Sequence, residues 1–88
     1  MIVECKIPKM KGEEMLSTTK QLLKVREELD EAIQASVERY IEELGDFLHA
    51  VMILIRVMRR EGINTQRAIE RAVEKNRRRG YYDENDSN

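Results

Sequence analysis

From Ser17 to Arg60, helical periodicity runs through about 44 residues, and neither glycine nor proline marks a break between Ala32 and Glu38. Whether the chain turns back there constrains the fold more than any other feature. A chain of 88 residues has one small core to bury. A single helix of that length, without sustained heptads, leaves the core uncovered. A reversal between Ala32 and Glu38 is therefore expected, with Ser36 available to cap the second helix.

The two wheels on either side of that reversal are amphipathic. In the first, Leu22, Val25, Leu29, Ala32 and Ile33 share one stripe, which is expected to be the packed face. The second, from Val37 to Arg60, gathers Ile41, Leu44, Leu48, Val51, Ile55 and Met58 with further apolar positions into a broader face. Ala50, Ile53 and Val57 extend it round the axis, so this helix is expected to be buried on more than one side. Gly62 ends it. A third helix follows, capped by Asn64 or Thr65, with Ala68, Ile69, Ala72 and Val73 as its stripe and Gly80 at its end. The expected fold is all-α, a bundle of about three helices per chain completed by association into a homo-dimer or homo-tetramer. Residues 1–12, with Pro8 and Gly12, read as an extended arm, 13–80 as the helical domain and 81–88 as a disordered tail.

Composition narrows the functional classes. Cys5 is the only cysteine, which removes an internal disulfide and favours a reduced, cytoplasmic setting. The longest apolar stretch, Phe47 to Ile55, contains His49 and falls short of the ~20 residues of a membrane span, and no signal pattern opens the chain. A net charge of −1 gives no global attraction to nucleic acid or anionic membrane. The basic run Lys75 to Arg79 is spread around its helix and suits the C-terminal end of a helix dipole, or phosphate contact by one or two of its members.

Two acidic pairs of identical spacing, Glu28/Glu31 and Glu43/Asp46, flank the expected reversal. An i,i+3 spacing puts both carboxylates of a pair on one helix face, and two such helices folded together would hold all four around a common point. Oxygen ligands in that number suit a hard divalent cation and phosphate chemistry. One acidic pair alone is ordinarily a solvated face. Here both pairs sit at the same offset from their apolar stripes, and Gly45 lies inside the second, where a helix glycine costs about 1 kcal/mol and suggests a close approach. A di-iron carboxylate bundle needs Glu-x-x-His on two helices, and His49 is the only histidine. A non-enzymatic helical interaction module, with its acids solvated, is the other alternative.

Glu27-Glu28-Leu29-Asp30-Glu31 followed by Glu43-Leu44-Gly45-Asp46 resembles the Glu-Glu-x-x-Glu and Glu-x-x-Asp motifs of the MazG-like nucleoside triphosphate pyrophosphohydrolases, which are all-α enzymes. The likeness runs from about Thr19 to Tyr81 and includes Gly62-Ile63 and the segment Lys75 to Tyr81. It implies Mg2+, with Mn2+ as a substitute, ligated by Glu28, Glu31, Glu43 and Asp46. Glu27 would orient or deprotonate the attacking water. Lys24, Lys75 and Arg79 would meet the substrate's phosphates, and Asn76 and Tyr81 other parts of it. The implied reaction converts a nucleoside triphosphate to monophosphate and pyrophosphate in nucleotide-pool house-cleaning, within an interleaved homo-oligomer that needs neither membrane nor nucleic acid. A helical oligomer or interaction module degenerate from this family remains the alternative.

Overall fold

The computed structural model describes residues 6–83. Among them lie three α-helices and no strand: α1 (Thr18–Ile33), α2 (Tyr40–Arg60) and α3 (Thr65–Arg78), with 3-10 turns at Glu13–Met15 and Val37–Arg39. The all-α class expected from periodicity is the one observed. The first five residues of the expected arm and residues 84–88 of the expected tail lie outside the described residues.

Local chemistry accounts for each boundary. Ser17, in extended backbone, caps α1 by accepting the Lys20 N–H at 3.1 Å, a contact of about 1 kcal/mol in helices generally. The chain reverses after Gln34, within the Ala32–Glu38 segment where the reversal was expected. Ser36 does not supply the expected side-chain cap. The 3-10 turn's own backbone bond, Arg39 N–H to Ser36 O at 3.0 Å, leads into α2 instead. At the far end Gly62 takes φ 85°, so that Ile63 N–H reaches Met58 O at 2.9 Å and Gly62 N–H reaches Arg59 O at 3.0 Å. This paired closure needs a left-handed residue, which glycine adopts without a Cβ penalty. Asn64 then caps α3 through the Arg67 N–H at 3.0 Å, while Thr65 is buried and accepts from Arg59 Nε at 3.3 Å.

Helices α1 and α2 pack antiparallel. Near one end Thr18 N–H donates to the Glu61 carboxylate at 3.1 Å; further along, Gln21 Nε2 donates to Ala50 O at 2.9 Å. The core between them is small, with Ala32, Ala50, Ile53 and Val57 as its buried apolar residues. The face that α1 turns to α2 corrects the sequence expectation. Its buried line is Gln21, Glu28 and Ala32, with Val25 half-buried, whereas Leu22 is 50% exposed and Ile33 71%. Two polar side chains thus occupy the interface, and much of the apolar stripe faces outward. Gly45 also differs from expectation: a Cβ there would meet nothing within 4 Å.

Helix α3 departs from α2 with little cover. Only Thr65 is buried on it, Val73 is half-buried, and Ala68, Ile69 and Ala72 are exposed. The radius of gyration, 15.6 Å, reflects this open arrangement, since a compact chain of this length has about 12 Å.

The N-terminal segment is fastened to α2 by arginines. Arg56 grips buried Glu13 with Nε to Oε2 at 2.8 Å and Nη2 to Oε1 at 2.9 Å, a two-pronged match of guanidinium and carboxylate. It also donates to Ile7 O at 2.9 Å and Pro8 O at 3.1 Å, while Arg60 donates to the carbonyls of Glu13 and Leu16. The Arg56 hydrogen bonds, aided by the Met10 N–H, hold the Glu13 carboxyl below its ordinary value of 4.5. A depressed folded value stabilises the protein above pH 4.5, and that contribution is lost as pH falls through the depressed value. Glu13→Gln is therefore expected to lower Tm at pH 7, with the deficit against wild type narrowing as the pH is taken below 4.5 in a melting series.

Candidate metal centre

The antiparallel packing brings the two acidic motifs together at the turn end of the α1–α2 pair. Ligand oxygens of Glu28, Glu43 and Asp46 lie within 4.8 Å of one another, and a second group, Glu27, Glu28 and Glu31, meets the same limit. Glu28 belongs to both and joins them. It is buried with Glu43, whereas Glu27, Glu31 and Asp46 are exposed. The i,i+3 spacing accounts for each helix's contribution, and the register of α1 on α2 accounts for Glu28 facing Glu43.

Five carboxylates so close repel one another. The charge of Glu28, together with some desolvation and the charges of Glu43 and Glu27, pushes the Glu31 carboxyl above its ordinary value of 4.5. Two cations offset part of this. Lys24 Nζ lies 3.1 Å from Glu28 and 3.3 Å from Glu27, and those hydrogen bonds raise the lysine above 10.5. Arg39 Nη2 lies 2.9 Å from Glu43 Oε1. The other oxygen, Glu43 Oε2, is buried without a hydrogen-bond partner. An unsatisfied buried polar atom ordinarily costs about 1–3 kcal/mol, and more when charged.

These residues fit a hard divalent cation. The donors are all carboxylate oxygens, as magnesium and manganese prefer. Ligands about 2.1 Å from one ion lie no more than about 4.2 Å apart, so the 4.8 Å limit requires only side-chain adjustment. The orphaned Glu43 Oε2 is a ready-made donor. Beside the carboxylates a cavity of about 380 Å³ is lined by Glu31, Gln34, Ala35, Ser36, Arg39 and Glu43.

A family model, the MazG nucleotide pyrophosphohydrolase domain, matches residues 13–81. The chain belongs to the MazG nucleotide pyrophosphohydrolase family. Neither the curated proteins nor the solved structures contain a match. Members of the MazG family act on nucleoside triphosphates, and the match spans both acidic motifs and α3.

Of the residues that the MazG resemblance singled out, Lys24, Glu27, Glu28, Glu31, Glu43 and Asp46 come together in one chain. Lys75, Asn76, Arg79 and Tyr81 stand at the end of α3 and make no side-chain hydrogen bond or ion pair to the carboxylates. Around them, Arg77 and Arg78 pair with Glu74, and Arg77 lies 5.9 Å from the centre of the Tyr82 ring. Arg39 was not singled out from sequence. Its i,i+4 spacing to Glu43 is a signal for an ion pair, though a common one on helices.

Adding Mg2+ or Mn2+ at about a hundred times its Kd should stabilise the fold by about 2.7 kcal/mol, read as a rise in Tm. Glu43→Gln should abolish that rise. Because the Glu31 carboxyl is raised, its charge opposes folding above that value and the strain is relieved as pH falls through it. Glu31→Gln should therefore raise Tm of the metal-free protein at neutral pH while shrinking the metal-induced gain.

Proposed function

We propose that this chain hydrolyses a nucleoside triphosphate to the monophosphate and pyrophosphate with Mg2+, or Mn2+ in its place, as part of nucleotide-pool house-cleaning in the cytoplasm. The observation that carries this reading is the buried, unpartnered Glu43 oxygen where the two acidic motifs of a MazG chain converge. Glu28, Glu43 and Asp46, from facing helices, would hold the cation, with Glu31 beside them. When bound, it would polarise the phosphate under attack and offset the charge of the leaving pyrophosphate. Glu27 is exposed at the edge of the group, where it can orient water and take its proton. Lys24, already bridging Glu27 and Glu28, would turn to a phosphate oxygen as the substrate enters.

The functional unit proposed is residues 13–80 in a homo-dimer or homo-tetramer. The support is apolar surface that one chain leaves bare: Ile33 is 71% exposed, Ile41 76% and Leu48 59%. Ile41, Gly45 and Leu48 lie on one side of α2, where the open space over Gly45 lets a second backbone approach. The exposed face of α3 can pack on that second copy, bringing Lys75 and Arg79 to phosphate, and Asn76 and Tyr81 to the rest of a nucleotide.

Pyrophosphate release should be measured with Mg2+ across ordinary, deoxy and damaged nucleoside triphosphates. Glu28→Gln and Asp46→Asn are each expected to lower turnover by about a hundredfold or more with helicity unchanged. Activity that survives both changes overturns the mechanism; no metal-induced rise in Tm and no release with any substrate would favour an interaction module. Light scattering should show a dimer or tetramer that Leu48→Glu converts to smaller species, and a monodisperse wild-type monomer refutes the assembly.

A further inference from the structure

Among the described residues Arg39 is the only cationic side chain lining the 380 Å³ cavity, and its partner there, Glu43, is a buried carboxylate of the acidic group. The pair is lopsided. The Glu43 side chain is 8% exposed and that of Arg39 is 68% exposed, so the guanidinium can leave into solvent or cavity at little cost, whereas the carboxylate cannot follow it. One Glu43 oxygen takes Arg39 at 2.9 Å and the other takes nothing. A cation seated between Glu28, Glu43 and Asp46 would compete for the first oxygen and satisfy the second.

We propose that Arg39 changes partners as the site loads. It holds Glu43 in the metal-free chain, is displaced when the cation takes that carboxylate, and then binds the phosphate chain of the incoming nucleotide from the cavity wall. This rests on the metal role of Glu43 proposed above. The geometry suits the exchange, because Arg39 stands on the 3-10 turn and lines the same cavity as Glu31 and Glu43. A triphosphate drawn to a cation there presents anionic oxygens to the cavity. The planar guanidinium offers paired N–H donors that match phosphate as they match carboxylate. The sole other cation bonded to the acidic group among the described residues, Lys24, is on α1 and held by two carboxylates.

Metal and phosphate affinities are expected to move in opposite directions. Calorimetric titration of the metal-free protein with Mn2+ at low ionic strength should show Arg39→Gln binding the ion about three- to tenfold more tightly than wild type, because a competing cation is gone. Titration of the Mn2+-loaded protein with inorganic triphosphate should show the same variant binding about tenfold more weakly, with Arg39→Lys recovering part of the loss. Glu43→Gln should remove Mn2+ binding whether or not Arg39 is present. A purely structural role for Arg39 would weaken both affinities together, and that result, or either affinity left unchanged, overturns the exchange. If wild type binds Mn2+ while Arg39→Gln behaves identically, only the exchange fails; if wild type binds no Mn2+, the metal site fails and takes the exchange with it.

Discussion

Everything at the centre depends on the register of α1 against α2. Gln21 Nε2 donates to Ala50 O from a buried position between the helices, a bond whose loss would strand a polar group in the interior. The Thr18 N–H contact to Glu61 secures the same alignment toward the end of α2. Moving one helix by a single turn shifts it about 5.4 Å along its axis. Such a slip would separate Glu28 from Glu43 and Asp46, whose ligand atoms now lie within 4.8 Å. The interface therefore trades apolar burial for alignment: Gln21 and Glu28 occupy places that a purely structural helix pair would give to leucine.

That trade leaves a chain whose site and stability oppose each other. The clustered carboxylates repel one another, which holds the Glu31 carboxyl above its ordinary value, and the small core of Ala32, Ala50, Ile53 and Val57 has little surplus to offset that repulsion. Lys24 and Arg39 reduce the repulsion, and Glu43 still carries an oxygen with no hydrogen-bond partner. Fastening comes from elsewhere. The Arg56–Glu13 fork ties the N-terminal segment to the buried half of α2, away from the turn end.

The outward surfaces follow from the same rotation of α1. With Glu28 turned to α2, Leu22, Leu29 and Ile33 face away, and α2 has a second apolar side with Ile41 and Leu48 on it. Helix α3 carries an apolar stripe that its own chain leaves exposed. It is on this surface that the proposed second copy would pack.

Much of this was legible in the chain. Helical periodicity, Asn64, Gly62 and Gly80 marked three helices and several of their ends, because caps and left-handed glycines act over a few residues of backbone, whereas the Ser36 cap expected for α2 is not made. The two i,i+3 acidic pairs and the need for a reversal after Ala32 foretold where the carboxylates gather, since the i,i+3 pairing follows from helix geometry. Apolar patterning could not say which face of α1 turns to α2. Its stripe pointed to Leu22, Leu29 and Ile33, whereas the interface buries Gln21, which donates to Ala50 O, and Glu28, which pairs with Lys24 on its own helix. Nor could it pair Glu13 with Arg56, 43 positions away, reveal the orphaned Glu43 oxygen, or show α3 standing apart from the carboxylates. The sequence by itself determined the helices and the carboxylates they carry; only the tertiary structure decided which of them meet, because partners distant in sequence are set by helix register, and register is a property of two surfaces together.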